Sequence, residues 1–98
     1  MPYTLFIRDE ANEDIAQAYL YYERIQEDPG ERFLSEVSEL YYALSDNPKY
    51  FGFIEDKKIF RDVKVKHFPY QIIYEIVANK VIIYSVFNNP QYPSKRGI

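Results

Sequence analysis

The stretch from Phe60 to Pro93, FRDVKVKHFPYQIIYEIVANKVIIYSVFNNPQYP, constrains the fold of this chain most, because it reads as three consecutive strands. Val63 and Val65 alternate with Asp62, Lys64 and Lys66, the period-two pattern of a half-buried strand with a polar, basic second face. His67-Phe68-Pro69 turns the chain, since Pro69 has no N–H to give to a central ladder. From Tyr70 to Val77, Tyr70, Ile72, Tyr74 and Ile76 fall on one face and Gln71, Ile73 and Glu75 on the other. Ala78-Asn79 supplies a tight turn, and Val81 to Phe87 is nearly all apolar, as suits the most buried strand of a sheet. Asn88-Asn89-Pro90 ends that strand, and residues 93–98 read as a loose tail.

An apolar sheet face needs cover, and the preceding residues supply it. Tyr3, Leu5 and Ile7 share one face of a first strand over residues 2–8. Asp9, or alternatively Asn12, then offers a helix N-cap, with Glu10, Glu13 and Asp14 placed as surface charges that suit the positive end of the helix dipole. Ala11, Ile15, Ala18, Tyr19 and Tyr22 form a single helical stripe that should stop near Gln26, where Asp28-Pro29-Gly30 predicts a turn. Phe33, Val37, Leu40, Tyr41 and Leu44 repeat the stripe up to Ser45-Asp46-Asn47-Pro48. Two such helices joined by a short turn make an antiparallel hairpin. Leu20, Tyr21, Leu34 and Tyr42 broaden the stripes and are expected in the core and at its edge, or alternatively as contacts for a partner protein. Tyr50, Phe51 and Phe53, around Gly52, are expected to tuck over the end of the hairpin. The predicted order is β-α-α-β-β-β. It makes an α+β fold with one domain spanning 1–98, in which the helix hairpin packs on one face of a small antiparallel meander.

Composition removes several functions. Without cysteine there is no disulfide, thiolate or Cys-ligated zinc chemistry, and a single histidine rules out a multi-histidine metal site, so no metal or other cofactor is expected. The N-terminus, MPYTLFIRDE, lacks a basic region followed by a long apolar run, and no apolar stretch approaches the roughly 20 residues that span a bilayer. A cytoplasmic protein is expected. The formal charge of −3 hides an uneven division: residues 1–56 carry a net −9 and residues 57–98 a net +6. Such asymmetry can mark an interaction surface, although helices also favour glutamate more than strands do.

The basic side chains are therefore the first candidates. Lys57, Lys58, Lys64 and Lys66 read either as a solvated face or as a surface for an acidic protein segment or a nucleic acid. Arg61 shares the parity of Val63 and Val65, so its stem can lie on the core with its head at the sheet rim. There it can pair with a helix carboxylate such as Glu36 or Glu39, or contact a ligand. His67 reads as a turn residue; no carboxylate partner is evident in sequence, and Asp62 is the one expected to be able to approach it.

Taken together, EANEDIAQAYLYYE, FLSEVSELYYAL, the DNP turn, a strand opening with Arg61, FPYQIIYEI and KVIIYSVFNNPQYP resemble the RelE/ParE superfamily of type II toxin–antitoxin toxins, the plasmid stabilisation proteins. The resemblance covers essentially the whole chain. It implies a growth-inhibiting toxin, held inactive by a cognate antitoxin, that either cuts mRNA in the ribosome without a metal or inhibits DNA gyrase; a homodimer is also within its expectation. In the RNA-cutting branch, basic residues stabilise the negative charge gathered in the transition state. Arg61, Lys64 and Lys66 match that role, which makes them the catalytic candidates if the chain is an endoribonuclease. Lys57 and Lys58 join them as binding candidates, together with Gln71, Asn88, Gln91 and Tyr92 near the positions of other family site residues. Gln71 stands where an arginine is usual and Gln91 near a usual cation. Glutamine cannot offer a charged, bidentate contact to phosphate, so the resemblance points to a ParE-like or divergent member that acts by binding. The antitoxin is expected along the helix hairpin or across the basic strand, with Tyr19, Tyr22, Tyr41 and Tyr42 as its contacts.

Overall fold

The computed structural model describes residues 2–25, 29–54 and 58–90. The first alternating segment forms β1, Thr4–Ile7, with Leu5 and Ile7 turned to the core and Phe6 away from it. Helix α1, Asp9–Ile25, follows at once. Its first turn is closed by Ala11 and Asn12 N–H groups donating to the Arg8 carbonyl (3.0 and 3.2 Å), so Asp9 is a first-turn residue and not the cap. An acidic residue there still complements the helix dipole. Helix α2, Pro29–Asp46, opens on the two residues that the sequence placed in the turn. Proline tolerates a first helical position because the N–H it lacks would have no helical partner there. A 3-10 turn, Pro48–Tyr50, leads toward β2, Phe60–Lys64, then β3, Tyr70–Val77, and β4, Lys80–Asn88.

The last three strands form the expected antiparallel meander, and β1 adds to it in a way that strand patterning alone does not specify. The sheet order is β1-β4-β3-β2, and β1 runs parallel to β4, with Leu5 opposite Val81 and Ile7 opposite Ile83. The sheet is therefore mixed, and β4, the most apolar strand, lies inside it. The strand is not regular. Ile73 pairs with Ser85 and Tyr74 with Ile83, leaving Tyr84 as an extra residue in a bulge. The inward positions of β4 are consequently Val81, Ile83 and Val86, a spacing of two and then three.

One core joins the layers. Ala11 and Ala18 of α1 and Phe33, Val37 and Leu44 of α2 pack on Val63, Ile72, Tyr74, Val81, Ile83 and Val86 of the sheet. Aromatic rings close one end: Phe33 meets Phe68 and Tyr70 edge-on at 5.2 and 5.0 Å, and Tyr22 meets Phe68 at 4.9 Å. At the other end the fully buried Tyr74 hydroxyl donates to the Pro48 carbonyl (2.7 Å). Gly30 permits the close crossing of the two helices. A Cβ there would come within 2.9 Å of the Tyr19 ring and 2.5 Å of the Glu23 carboxylate.

Several residues assigned to the core edge are on the surface instead. Leu20, Tyr21, Leu34 and Tyr42 are exposed, Tyr42 by 67%, because each lies flanking the helical stripe that faces the sheet and not in it. Tyr50 is 77% exposed, and only Phe51 of its aromatic group packs against the core. Phe53 instead faces Arg61 across an isolated bridge beside β2. Ile54 N–H donates to Phe60 O (2.8 Å) and Asp62 N–H to Gly52 O (3.4 Å), so residues 52–54 cover part of the edge of β2.

Candidate functional site

The basic residues that the sequence groups together are separated by the fold. Arg61, inward on β2, is held by its own chain. Its Nη1 donates to the carbonyls of Phe51 (2.6 Å) and Lys49 (3.4 Å), and its guanidinium stands 3.9 Å from the Phe53 ring centroid. These partners replace the expected ion pair with Glu36 or Glu39. Backbone carbonyls arriving from the segment after α2 satisfy a planar donor fork, and an aromatic face covers it. Arg61 lines a cavity of about 410 Å³ with Lys49, Lys58, Phe53 and Glu75. Lys58 is exposed and has a positive φ of 56°.

Lys64 closes β2 on the opposite face, across from Gln71. Lys66 lies beyond the strand, in the turn, and borders a separate cleft of about 280 Å³ with Arg32, Glu36, Glu39 and His67. The cavities that Arg61 and Lys66 line have no residue in common, and Lys64 lines neither. Three cations in one stretch of sequence thus face three different surroundings.

Gln71 is only 7% exposed and is bound at both ends of its amide. Its Nε2 donates to Asp62 Oδ2 (2.9 Å), and its Oε1 accepts from Asn89 Nδ2 (2.7 Å). The site where the resemblance places an arginine is therefore a neutral amide that links β2, β3 and the end of β4 through an acidic and an amide side chain. Lys57, Gln91 and Tyr92 lie outside the described residues.

His67 gains a partner that was not anticipated. Its backbone N–H donates to Glu36 Oε1 (3.0 Å), and its ring Nδ1–H donates to Glu36 Oε2 (2.6 Å). The carboxylate thus pins the β2–β3 turn to α2. Asp62, the expected approach, is occupied by Gln71. Glu36 and His67 are 31 residues apart, and nothing in their local patterns announces the pair.

The tyrosines expected to meet an antitoxin divide three ways. Tyr42 is open to solvent. Tyr19 is partly buried, and its hydroxyl donates to Glu31 Oε2 (3.3 Å); the Glu23 carboxylate foremost, then burial and Glu31, raise the phenol above its ordinary pKa. Tyr22 belongs to the aromatic end of the core. Tyr41 packs against the core and its buried hydroxyl has no hydrogen-bond partner among the described residues; burial, and secondarily the Asp14 carboxylate, push its pKa up to about 12.

Asp14 departs most from its sequence reading. It does not lie on the outer helix surface. Its Oδ2 accepts the backbone N–H of Val86 (3.0 Å), next to the bulge of β4. A signal was present: Asp14 is three residues after Ala11 and four before Ala18, which puts a carboxylate within the buried stripe. Together with Gln17, Tyr21, Tyr70, Phe87 and Asn88, it lines a cleft of about 440 Å³ between α1 and the ends of β3 and β4. None of the described cationic candidates lines this cleft. No group of acidic, histidine or cysteine side chains among the described residues could hold a metal ion, and no helix is long and apolar enough to cross a membrane.

A helix hairpin on one face of a four-stranded mixed sheet is the architecture of small toxins from type II toxin–antitoxin systems. The fold matches a chain of the chromosomal ParDE system from P. aeruginosa with a TM-score of 0.76 at 13% identity, covering 90% of this chain and 97% of that one. It also matches a chain of the RelBE2 toxin–antitoxin complex from Mycobacterium tuberculosis (TM-score 0.65, 20% identity, 91% and 100% covered). A third match is the YoeB dimer from Staphylococcus aureus (TM-score 0.62, 15% identity, 89% and 97% covered). No curated protein sequence matches the chain. The model of the family described as the ParE toxin of type II toxin–antitoxin system, parDE, matches residues 5–89, and the chain belongs to this family.

Proposed function

We propose that this chain is the toxin of a toxin–antitoxin pair, acts in the cytoplasm, is neutralised by a cognate antitoxin protein, and works by binding DNA gyrase without cutting RNA. The observation that carries the choice of target is the Asp62–Gln71–Asn89 link. Phosphate chemistry needs preorganised positive charge, and removing one such donor costs on the order of 2–4 kcal/mol of transition-state stabilisation. Here the key position is neutral, and both ends of its amide are held by Asp62 and Asn89. The separation of Arg61 from Lys66 supports the same reading, as does an acidic chain, since RNA binding draws on counterion release by basic proteins. An antitoxin partner is supported by the family and by relatives solved as toxin–antitoxin complexes, among them YoeB–YefM from Staphylococcus aureus.

The test has two arms. Expression of the chain alone should slow growth, and co-expression with the neighbouring reading frame should restore it and give a co-purifying complex. Purified toxin should then inhibit gyrase supercoiling. Primer extension on mRNA from induced cells decides the competing reading: new cuts within codons, lost when Arg61, Lys64 and Lys66 are all changed to alanine, would establish a ribosome-dependent endonuclease. Antitoxin binding without any growth effect would identify a non-toxic homologue, and neither binding nor growth effect would overturn the proposal.

A further inference from the structure

The cleft between α1 and the sheet ends has a chemistry of its own, unlike that of the basic strand. Among the described residues, Asp14 is the only charged one lining it. One oxygen of this carboxylate holds the Val86 N–H, and among the described residues the other has no partner. An ionised carboxylate has acceptor capacity for more than one donor. The walls are aromatic. Tyr21 and Phe87 are exposed by 52% and 51%, and Tyr21 is braced edge-on by Tyr22 at 5.1 Å. Burial first, then the neighbouring Tyr21 and Asp14, raise the Tyr70 phenol pKa, so these three groups share the same space. Gln17 and Asn88 add side-chain amides at the rim.

This combination favours a cation. A carboxylate supplies charge-assisted acceptance, and ring faces attract positive charge through their quadrupole. On the helix side the neighbouring charge has the same sign, since Asp9, Glu10 and Glu13 precede Asp14 on α1. Three of the described cations stack on rings elsewhere: Arg8 over Tyr84, Arg61 over Phe53 and Lys80 over Phe6. Among the described residues none stands over Tyr21, Tyr70 or Phe87.

We infer that the Asp14 cleft is a receptor for an arginine side chain of a partner polypeptide. Arginine fits better than lysine because its planar guanidinium can lie on an aromatic wall while its fork meets a carboxylate, whereas an ammonium is a compact and strongly hydrated point charge. The cleft volume is within the range of small-ligand sites and accommodates the side chain with its stem. This assignment is independent of whether gyrase is the target.

N-acetyl-arginine amide is the probe, and the amide resonance of Val86 is the reporter, since that N–H sits on Asp14. Titration should give a saturable shift with a Kd in the millimolar range expected of so small a ligand. The lysine analogue should bind several-fold more weakly, and the neutral citrulline analogue should give no saturable shift. Asp14→Asn keeps an oxygen for the Val86 N–H and removes the charge, so it should weaken binding roughly tenfold. Tyr21→Leu, at an exposed ring outside the core, should weaken it several-fold and guards against an effect of Asp14→Asn on folding. A flat titration, equal binding of the citrulline analogue, tighter binding of the lysine analogue, or unchanged affinity in both variants would each overturn the assignment.

Discussion

Tyr74 and Tyr41 both bury their hydroxyls, but among the described residues only Tyr74 has a partner for it. Tyr74 donates to Pro48 O from a fully buried position, so Tyr74→Phe strands a buried carbonyl and should cost about 1–2 kcal/mol of stability by urea unfolding. Among the described residues the Tyr41 hydroxyl has no partner, so Tyr41→Phe removes a desolvated polar atom and should be neutral or stabilising by up to about 1 kcal/mol. A clear loss in the second variant would mean that the hydroxyl has a partner after all. Neither difference can be read from sequence, where the two residues occupy equivalent inward positions of strand and helix. Asp14 was legible in principle, through its spacing from two buried alanines. Gln71 was legible as a missing cation, but its capture by Asp62 and Asn89 depends on contacts 9 and 18 residues away. Glu36 and His67 had no local signature at all.

Elements were easier to read than their surroundings. The helical stripes and the last three strands follow directly from periodicities of 3.6 and 2, which are properties of neighbouring residues. Their limits depend on what packs nearby. Pro29 and Gly30 suggest a turn in isolation, yet both are accommodated in the first turn of α2 because α1 passes close to Gly30. Gly30→Ala tests that contact. Better helix propensity should contribute up to about 1 kcal/mol, but overpacking against Tyr19 and Glu23 should cost more, on the order of 1–3 kcal/mol. The expected net result is a loss of about 1 kcal/mol in thermal or urea unfolding. A gain would mean that Glu23 and Tyr19 swing aside freely. The bulge in β4 was equally hidden: an almost wholly apolar strand carries no alternation to reveal where its inward spacing changes from two to three. That one extra residue brings the Val86 amide to Asp14 and so helps shape the cleft proposed as an arginine receptor.

At the scale of the whole molecule, the tyrosines make alkaline pH the sensitive limit. Burial pushes Tyr41 and Tyr74 up to about 12, whereas an unfolded tyrosine loses its proton near pH 10. The folded state therefore favours the neutral phenol. Its stabilising effect is complete below about pH 10 and declines as the pH rises toward 12. Urea midpoints should be level up to that point and fall beyond it, with a shallower fall in Tyr41→Phe; an identical slope in the variant would remove Tyr41 from the account. The sheet order has a different kind of consequence. Of the four described strands, β1 leaves the ribosome before the others, and β4, the strand it pairs with, leaves after them. Non-local pairing of this sort closes late, so a nascent chain cannot complete its sheet until translation has passed Asn88. A polypeptide interrupted before β4 lacks Val81, Ile83 and Val86, so the apolar stripes of its helix hairpin have too little sheet to cover them.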